Sequence, residues 1–162
     1  MTYSTGGLIE ATDYNGFVST TAGANVNNVW STGSTDSGWG QSALATVSAA
    51  GTVTATQWAS LVNTLSSMGA HTNTTITART APTTGSTIAI LAALNTDLTN
   101  ITANRQNAAA VGTQFTGWTG TNAKTSVTTG PFTITFVNTV TWASADAARY
   151  FFNAGGLIKI DV

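Results

Sequence analysis

The chain has 162 residues, enough for a single domain with a real core, since a chain of this length buries about 70% of its unfolded surface. Only 7% of residues are Asp, Glu, Lys or Arg, against roughly 25% in an ordinary soluble domain, and the net charge is −1. The five Lys/Arg lie scattered at 79, 105, 124, 149 and 159 and make no nucleic-acid patch; the absence of Cys removes disulfides and thiolate ligands; no apolar run reaches the length of a membrane span.

The first element in chain order is a helix over Thr12 to Trp30, with residues 1–11 as an N-terminal arm. Thr12 stands as N-cap and Asp13 in the first turn, where a carboxylate favours the helix dipole. Tyr14, Phe17, Val18, Thr21, Ala22, Val29 and Trp30 mark one face, and Gly16 and Gly23 weaken it by about 1 kcal/mol each. Residues 31–41, "STGSTDSGWGQ", read as a loop with Trp39 embedded between glycines. Residues 43–55, "ALATVSAAGTVTA", alternate and contain Gly51, so a short hairpin is one reading.

The clearest helix covers residues 55–68. Thr54 and Gln57 have capping-box spacing. Trp58, Leu61, Val62, Leu65 and Met68 then form an apolar stripe, and Gly69 stands as the residue that stops the helix. A Thr-rich connector with Pro82 follows. A second helix runs from about Ser86 to Asn107 on the stripe Leu91, Leu94, Leu98 and Ile101. Asp97 falls off that stripe and reads as solvated, while Arg105 continues it as a cationic end that suits the C-terminal dipole.

From Gly112 the period changes to two. "FTITFVNTVTWA" places Phe132, Ile134 and Phe136 on one face, with a bulge at Asn138–Thr139 and resumption at Val140 and Trp142. Ser144 caps a short helix, Ala145 to Asn153, which Gly155–Gly156 end. Leu157 to Val162 reads as a last strand. The expected fold is α+β: a single domain, residues 1–162, with helices in the N-terminal two thirds packed with a C-terminal antiparallel β-sheet.

Catalytic chemistry finds little support. His71 is the single histidine, with no carboxylate close by in sequence, so it reads as a polar helix-end residue rather than a metal ligand. Glu10 and Asp13 could pair in space with another acid, as a glycosidase requires, but nothing in the local sequence favours it. No Gly-x-Ser-x-Gly elbow, P-loop or dinucleotide fingerprint occurs. Gly155–Gly156 follows a helix instead of preceding one, so it is a helix stop and no phosphate cradle. The sequence thus assigns no catalytic, cofactor or metal residue and reads as no enzyme.

The aromatic residues carry the interaction signal. Trp58 and Trp142 fall on apolar faces and read as core. Trp39 and Trp118 sit in Gly-flanked loops, where a Trp either caps the core edge, anchors a partner chain or stacks on sugar. Tyr150, Phe151 and Phe152 are consecutive on a helix, so they point in three directions and one of them faces away from its own core. Ile158 and Ile160 lie on one face of the last strand, which is expected either inside the sheet or, at a sheet edge, paired with another chain. Trp39, Trp118, Tyr150, Phe151, Phe152, Ile158 and Ile160 are therefore the candidate interface residues. A Thr/Ser/Asn surface with so little charge suits a protein built into an assembly.

Three stretches, "ATDYNGF" (11–17), "SGWGQ" (37–41) and above all "ARYFFNAGG" (148–156), resemble a family of tailed-bacteriophage virion structural proteins common in phages of marine bacteria and cyanobacteria. The likeness extends over nearly the whole chain, "TVTATQW" included; "ARYFFNAGG" is the specific part. It implies a non-enzymatic virion component, assembled in the host cytoplasm and residing on the particle. A tail- or neck-associated fibre or fibre adaptor stands first, a capsid decoration protein second. The implied partners are other virion proteins and copies of the chain, with neither nucleic acid nor membrane. A carbohydrate-binding module that uses Trp39 and Trp118 on a host surface glycan is the rival from another class, and a polysaccharide hydrolase a distant third. Members of that family usually continue past the double-glycine strand, whereas this sequence ends at Val162.

Overall fold

The computed structural model describes residues 10–20, 23–86, 93–107 and 139–158. Helix accounts for 47% of them, and no strand occurs among them. Five α-helices follow in chain order: α1 (Ala11–Val18), α2 (Val26–Trp30), α3 (Ala55–His71), α4 (Leu94–Ala103) and α5 (Ala145–Asn153), with one 3-10 turn at Ser34–Asp36.

This corrects the α+β expectation. Val140 and Trp142 alternate as strand residues do and Leu157 and Ile158 open the expected last strand, yet none of them is in a strand. The alternating run at Phe132, Ile134 and Phe136, Trp118, Ile160 and the end of the expected last strand lie outside the described residues. Alternation reports only that a segment fits a pleated, half-buried surface; the ladder partner must come from elsewhere in the chain.

The expected first helix is two helices. It starts one residue earlier, at Ala11, with Glu10 rather than Thr12 as N-cap. The Glu10 backbone N–H donates to the Asp13 carboxylate at 3.0 Å, and the Thr12 hydroxyl donates to the Glu10 side chain at 3.3 Å. Ser19 already has extended backbone, and Gly23, at φ +133°, lies in the break before α2. The apolar face nevertheless survives the break: Ala11, Tyr14, Phe17, Val18, Val26 and Val29 are all buried.

α3 begins as expected. The Thr54 hydroxyl accepts from the Gln57 N–H at 3.3 Å, and Gln57 Oε1 accepts from the Thr54 N–H at 2.8 Å. These two bonds satisfy donors that a bare helix start leaves orphaned. Trp58, Leu61, Val62, Leu65 and Met68 are buried along one face. Gly69 does not end the helix. It is a buried position inside it, where the returning chain presses close: an added Cβ would stand 3.1 Å from the Thr74 carbonyl oxygen and 3.2 Å from Ile76 Cγ2. The helix ends two residues later, where the Thr72 hydroxyl donates to the Met68 carbonyl at 2.9 Å.

α4 buries Leu94, Leu98 and Ile101, as the stripe requires. Its expected first turns at 87–92, Leu91 included, lie outside the described residues. Asp97 is buried rather than solvated. It pairs with Arg79 at 2.6 Å and accepts the Thr77 backbone N–H at 3.1 Å. Packing runs α1 on α2, α2 on α3 and α3 on α4 around one core. Within it the Trp58 ring meets the edges of Tyr14, at 5.2 Å between centroids, and Phe17, at 6.4 Å.

Residues 43–53 form no hairpin. Their backbone is held instead by two helix side chains. Asn27 Nδ2 donates to the Leu44 carbonyl and Asn27 Oδ1 accepts the Leu44 N–H, each at 2.8 Å. Asn15 does the same at Val47, donating at 2.7 Å and accepting at 2.8 Å. A primary amide carries one acceptor and two donors side by side, so each Asn stands in for the peptide of a neighbouring strand. That is how an alternating segment is held here without a sheet.

Candidate interaction surface

α5 is built as its sequence predicts. Ser144 Oγ accepts the Ala147 N–H at 3.0 Å, and Asp146 sits in the first turn. At the other end the Gly155 N–H reaches the Phe152 carbonyl at 3.0 Å and the Gly156 N–H the Phe151 carbonyl at 2.9 Å, with Gly155 at φ +83°. This pair of bonds is a Schellman motif, so the double glycine is a helix stop.

The helix buries none of its residues. A polar clasp, rather than apolar packing, holds it to the rest of the molecule. Asn153 Nδ2 donates to the carbonyls of Asp36, at 2.9 Å, and Gly38, at 2.8 Å. Trp39 Nε1 donates to the Asn153 carbonyl at 3.1 Å and to the Arg105 carbonyl at 3.2 Å. His71 Nε2 contacts the Ala154 carbonyl oxygen at 2.8 Å. The clasp thus engages two C-terminal carbonyls that a helix cannot satisfy internally. Arg149 bridges Asp36 at 3.1 Å and Asp146 at 3.0 Å. Tyr150 packs against Gly40, where an added Cβ would collide with its ring.

The loop that receives α5 is itself preorganised. The N–H groups of Trp39, Gly40 and Gln41 donate to the carbonyls of Val29, Ser31 and Trp30 at 2.8–3.0 Å, so the loop folds back on the end of α2. Arg105 Nη2 donates to the Ser37 carbonyl from the other side. Trp39 is only 5% exposed, with its ring against Trp30 and His71. It caps the core edge, the first of its three sequence readings, and offers no face to a sugar or to a partner.

Opposite the clasp, α5 turns aromatic rings outward. Phe151 and Phe152 are 36% and 46% exposed. Trp142, which alternation assigns to the core, is half-buried and stacks on both, at 4.7 Å from Phe151 and 5.9 Å from Phe152. Phe151 and Phe152 meet edge to face at 5.2 Å. Phe151 also closes over the helix stop, where a Cβ at Gly156 would collide with its ring. Leu157, 86% exposed, and Ile158, 42% exposed, follow in the same chain segment.

Of the seven candidate residues, Phe151, Phe152 and Ile158 are exposed and close in sequence; Tyr150 faces the loop; Trp39 is buried; Trp118 and Ile160 lie outside the described residues. Trp142 and Leu157 were not legible as surface residues. A single Trp in an alternating run looks the same whether a core or a pair of neighbouring phenylalanines receives it.

Among the described residues no group of three or more His, Asp or Glu side chains is placed to hold a metal, and no helix is long and apolar enough to cross a membrane. Glu10 and Asp13 are engaged with one another at the α1 cap. No family model matches the chain, and the searches of curated proteins and of solved structures found no match.

Proposed function

We propose that this chain is a non-enzymatic structural protein of a tailed-bacteriophage virion, a tail- or neck-associated fibre or fibre-adaptor component built into a symmetric assembly. The observation that carries the reading is the outward aromatic face of α5, Trp142, Phe151 and Phe152 with Leu157 and Ile158. Several large apolar side chains exposed within one short chain segment favour an interaction site over an idle surface. The residues that form it fall in and around "ARYFFNAGG", the stretch that most resembles phage virion proteins. The sparse charge supports the same reading, because neighbours in a particle meet there without large desolvation costs.

The carbohydrate-binding alternative loses Trp39, whose ring is buried and whose N–H is spent on two carbonyls. Particle imaging with peptide mass spectrometry of purified virions tests the proposal. The expected result is density for this chain at the tail or neck in a few to tens of copies. Hundreds of copies on the head would make it a decoration protein, and absence from virions would overturn the reading.

A further inference from the structure

We propose that the Asn15–Gly16 step is a site of spontaneous deamidation, gated by the opening of α1, and that its conversion releases residues 43–47 from the helix. The inference stands apart from the assembly reading, since the reaction needs only this chain and water.

Asn15 and Gly16 are the only Asn-Gly pair in the sequence. Glycine has no Cβ to shield its backbone nitrogen, and outside a helix it lets the chain turn freely. In that state the Gly16 nitrogen attacks Asn15 Cγ. An N–C bond forms and closes a five-membered imide, and the Gly16 N–H proton goes to solvent. The Cγ–Nδ2 bond breaks, its electron pair stays on nitrogen, and protonation releases ammonia. Water then opens the imide at either carbonyl. This restores a backbone N–H and leaves aspartate or isoaspartate. The net change is water in and ammonia out, with no oxidant or reductant.

The fold holds this reaction back in two ways. Asn15 lies inside α1, where the helical pattern directs the Gly16 N–H to the carbonyl four residues earlier. Helical ψ also keeps that nitrogen out of the plane in which the ring closes. The Asn15 amide is meanwhile fixed at Val47, donating to its carbonyl at 2.7 Å and accepting its N–H at 2.8 Å. Nitrogen and Cγ therefore meet only when α1 opens and parts from residues 43–47. α1 has eight residues, fewer than the about 12–15 that an isolated helix needs, so its persistence depends on packing. When opening and reclosing are fast against the chemistry, the folded rate is the unfolded rate multiplied by the open fraction.

Conversion changes what the bracket can do. An aspartate still accepts the Val47 N–H, but it has no donor for the Val47 carbonyl and sets a negative charge against that oxygen. An isoaspartate also adds a backbone carbon and interrupts the helical repeat. Val47 belongs to the core, so either product loosens the anchor of residues 43–47 on it. Because ammonia leaves, the change is one-way and marks chains that have opened.

Peptide mass spectrometry of the full chain, incubated at mildly alkaline pH in buffer and in urea, tests this. In urea Asn15 is expected to convert ahead of every other asparagine. In buffer it is expected to convert more slowly, on the order of tenfold or more. Asp13→Ala removes the carboxylate that accepts the Glu10 N–H at the start of α1. It should speed conversion in buffer and leave the urea rate unchanged. Gly16→Ala should slow conversion in urea, where no fold contributes. Asn15→Asp reproduces one product and should unfold at lower urea than the wild type. Equal Asn15 rates in buffer and urea would overturn the gating. So would unchanged conversion in Asp13→Ala once faster amide exchange shows that its α1 opens more often. Asn15 lagging other asparagines in urea would overturn the site, and an Asn15→Asp chain as stable as the wild type would overturn the release of residues 43–47.

Discussion

At the scale of single residues, the structure depends on a few polar side chains that replace backbone partners. Asn27 is buried and bonds both the N–H and the C=O of Leu44. An intramolecular hydrogen bond contributes about 1 kcal/mol net, and an orphaned buried group costs more, so Asn27→Ala should destabilise by about 2–3 kcal/mol in urea unfolding. Asn27→Asp is the sharper test. The carboxylate still accepts from Leu44 N–H but has no donor for its carbonyl, and it sets a negative charge against that oxygen. It should therefore cost at least as much as Ala; near-wild-type stability would show that the paired geometry contributes little. Asp97 poses a different problem. Its ion pair with Arg79 is buried on both sides. Asp97→Ala takes the counter-charge from a buried guanidinium and the acceptor from the Thr77 N–H, so it should cost about 3–5 kcal/mol. Arg79→Met combined with Asp97→Leu should cost less than Asp97→Ala alone, because the double change removes both charges together. A double-mutant cycle in urea reads the coupling directly.

At the scale of elements, α5 is a helix with good ends and no buried face. Its caps were legible from Ser144 and Gly155–Gly156 because capping depends on residues within one turn. Its attachment was not legible, since Trp39, Arg105 and Asn153 meet across 66 and 114 residues of sequence. The clasp makes the stability of α5 separable from that of the α1–α4 core. Trp39→Phe keeps most of the ring volume and deletes the shared N–H, leaving the carbonyls of Arg105 and Asn153 short of a donor. The expected loss is about 1–2 kcal/mol. Gly40→Val acts by bulk, because any Cβ there collides with the Tyr150 ring. Both variants should raise amide hydrogen exchange across residues 145–153 well before they affect α3. If α3 and α5 lose protection in parallel, the two form one cooperative unit and the clasp is no separate device.

At the scale of the whole molecule, among the described residues, a period of 3.6 led to helix and a period of two led to no strand. The stripes Trp58–Met68 and Leu94–Ile101 are buried as spaced, because a helix forms its own hydrogen bonds and needs only a surface to bury against. The alternating segments needed partners that local sequence does not specify. Residues 43–47 found two asparagines, and Trp142 found Phe151 and Phe152. The burial of Asp97 is not legible for a related reason: its place off the stripe carries no sign of Arg79, which arrives from the connector.

The helical core also sets how the molecule responds to alkali. Tyr14 is buried against Trp58, and burial pushes its phenol above the ordinary value of 10.0. The folded state then holds the Tyr14 proton more tightly than the unfolded chain does. Below about pH 10 both states keep the proton and stability does not depend on it. As pH rises through the unfolded value, only the unfolded chain releases the proton, so stability falls until the folded value is also passed. Unfolding free energy measured in urea between pH 8 and 11.5 should therefore decline above about pH 10. Tyr14→Phe should flatten part of that decline, since it keeps the ring against Trp58 and removes the titrating hydroxyl. An identical slope in Tyr14→Phe would assign the alkaline loss to other groups and leave the buried phenol without influence on global stability.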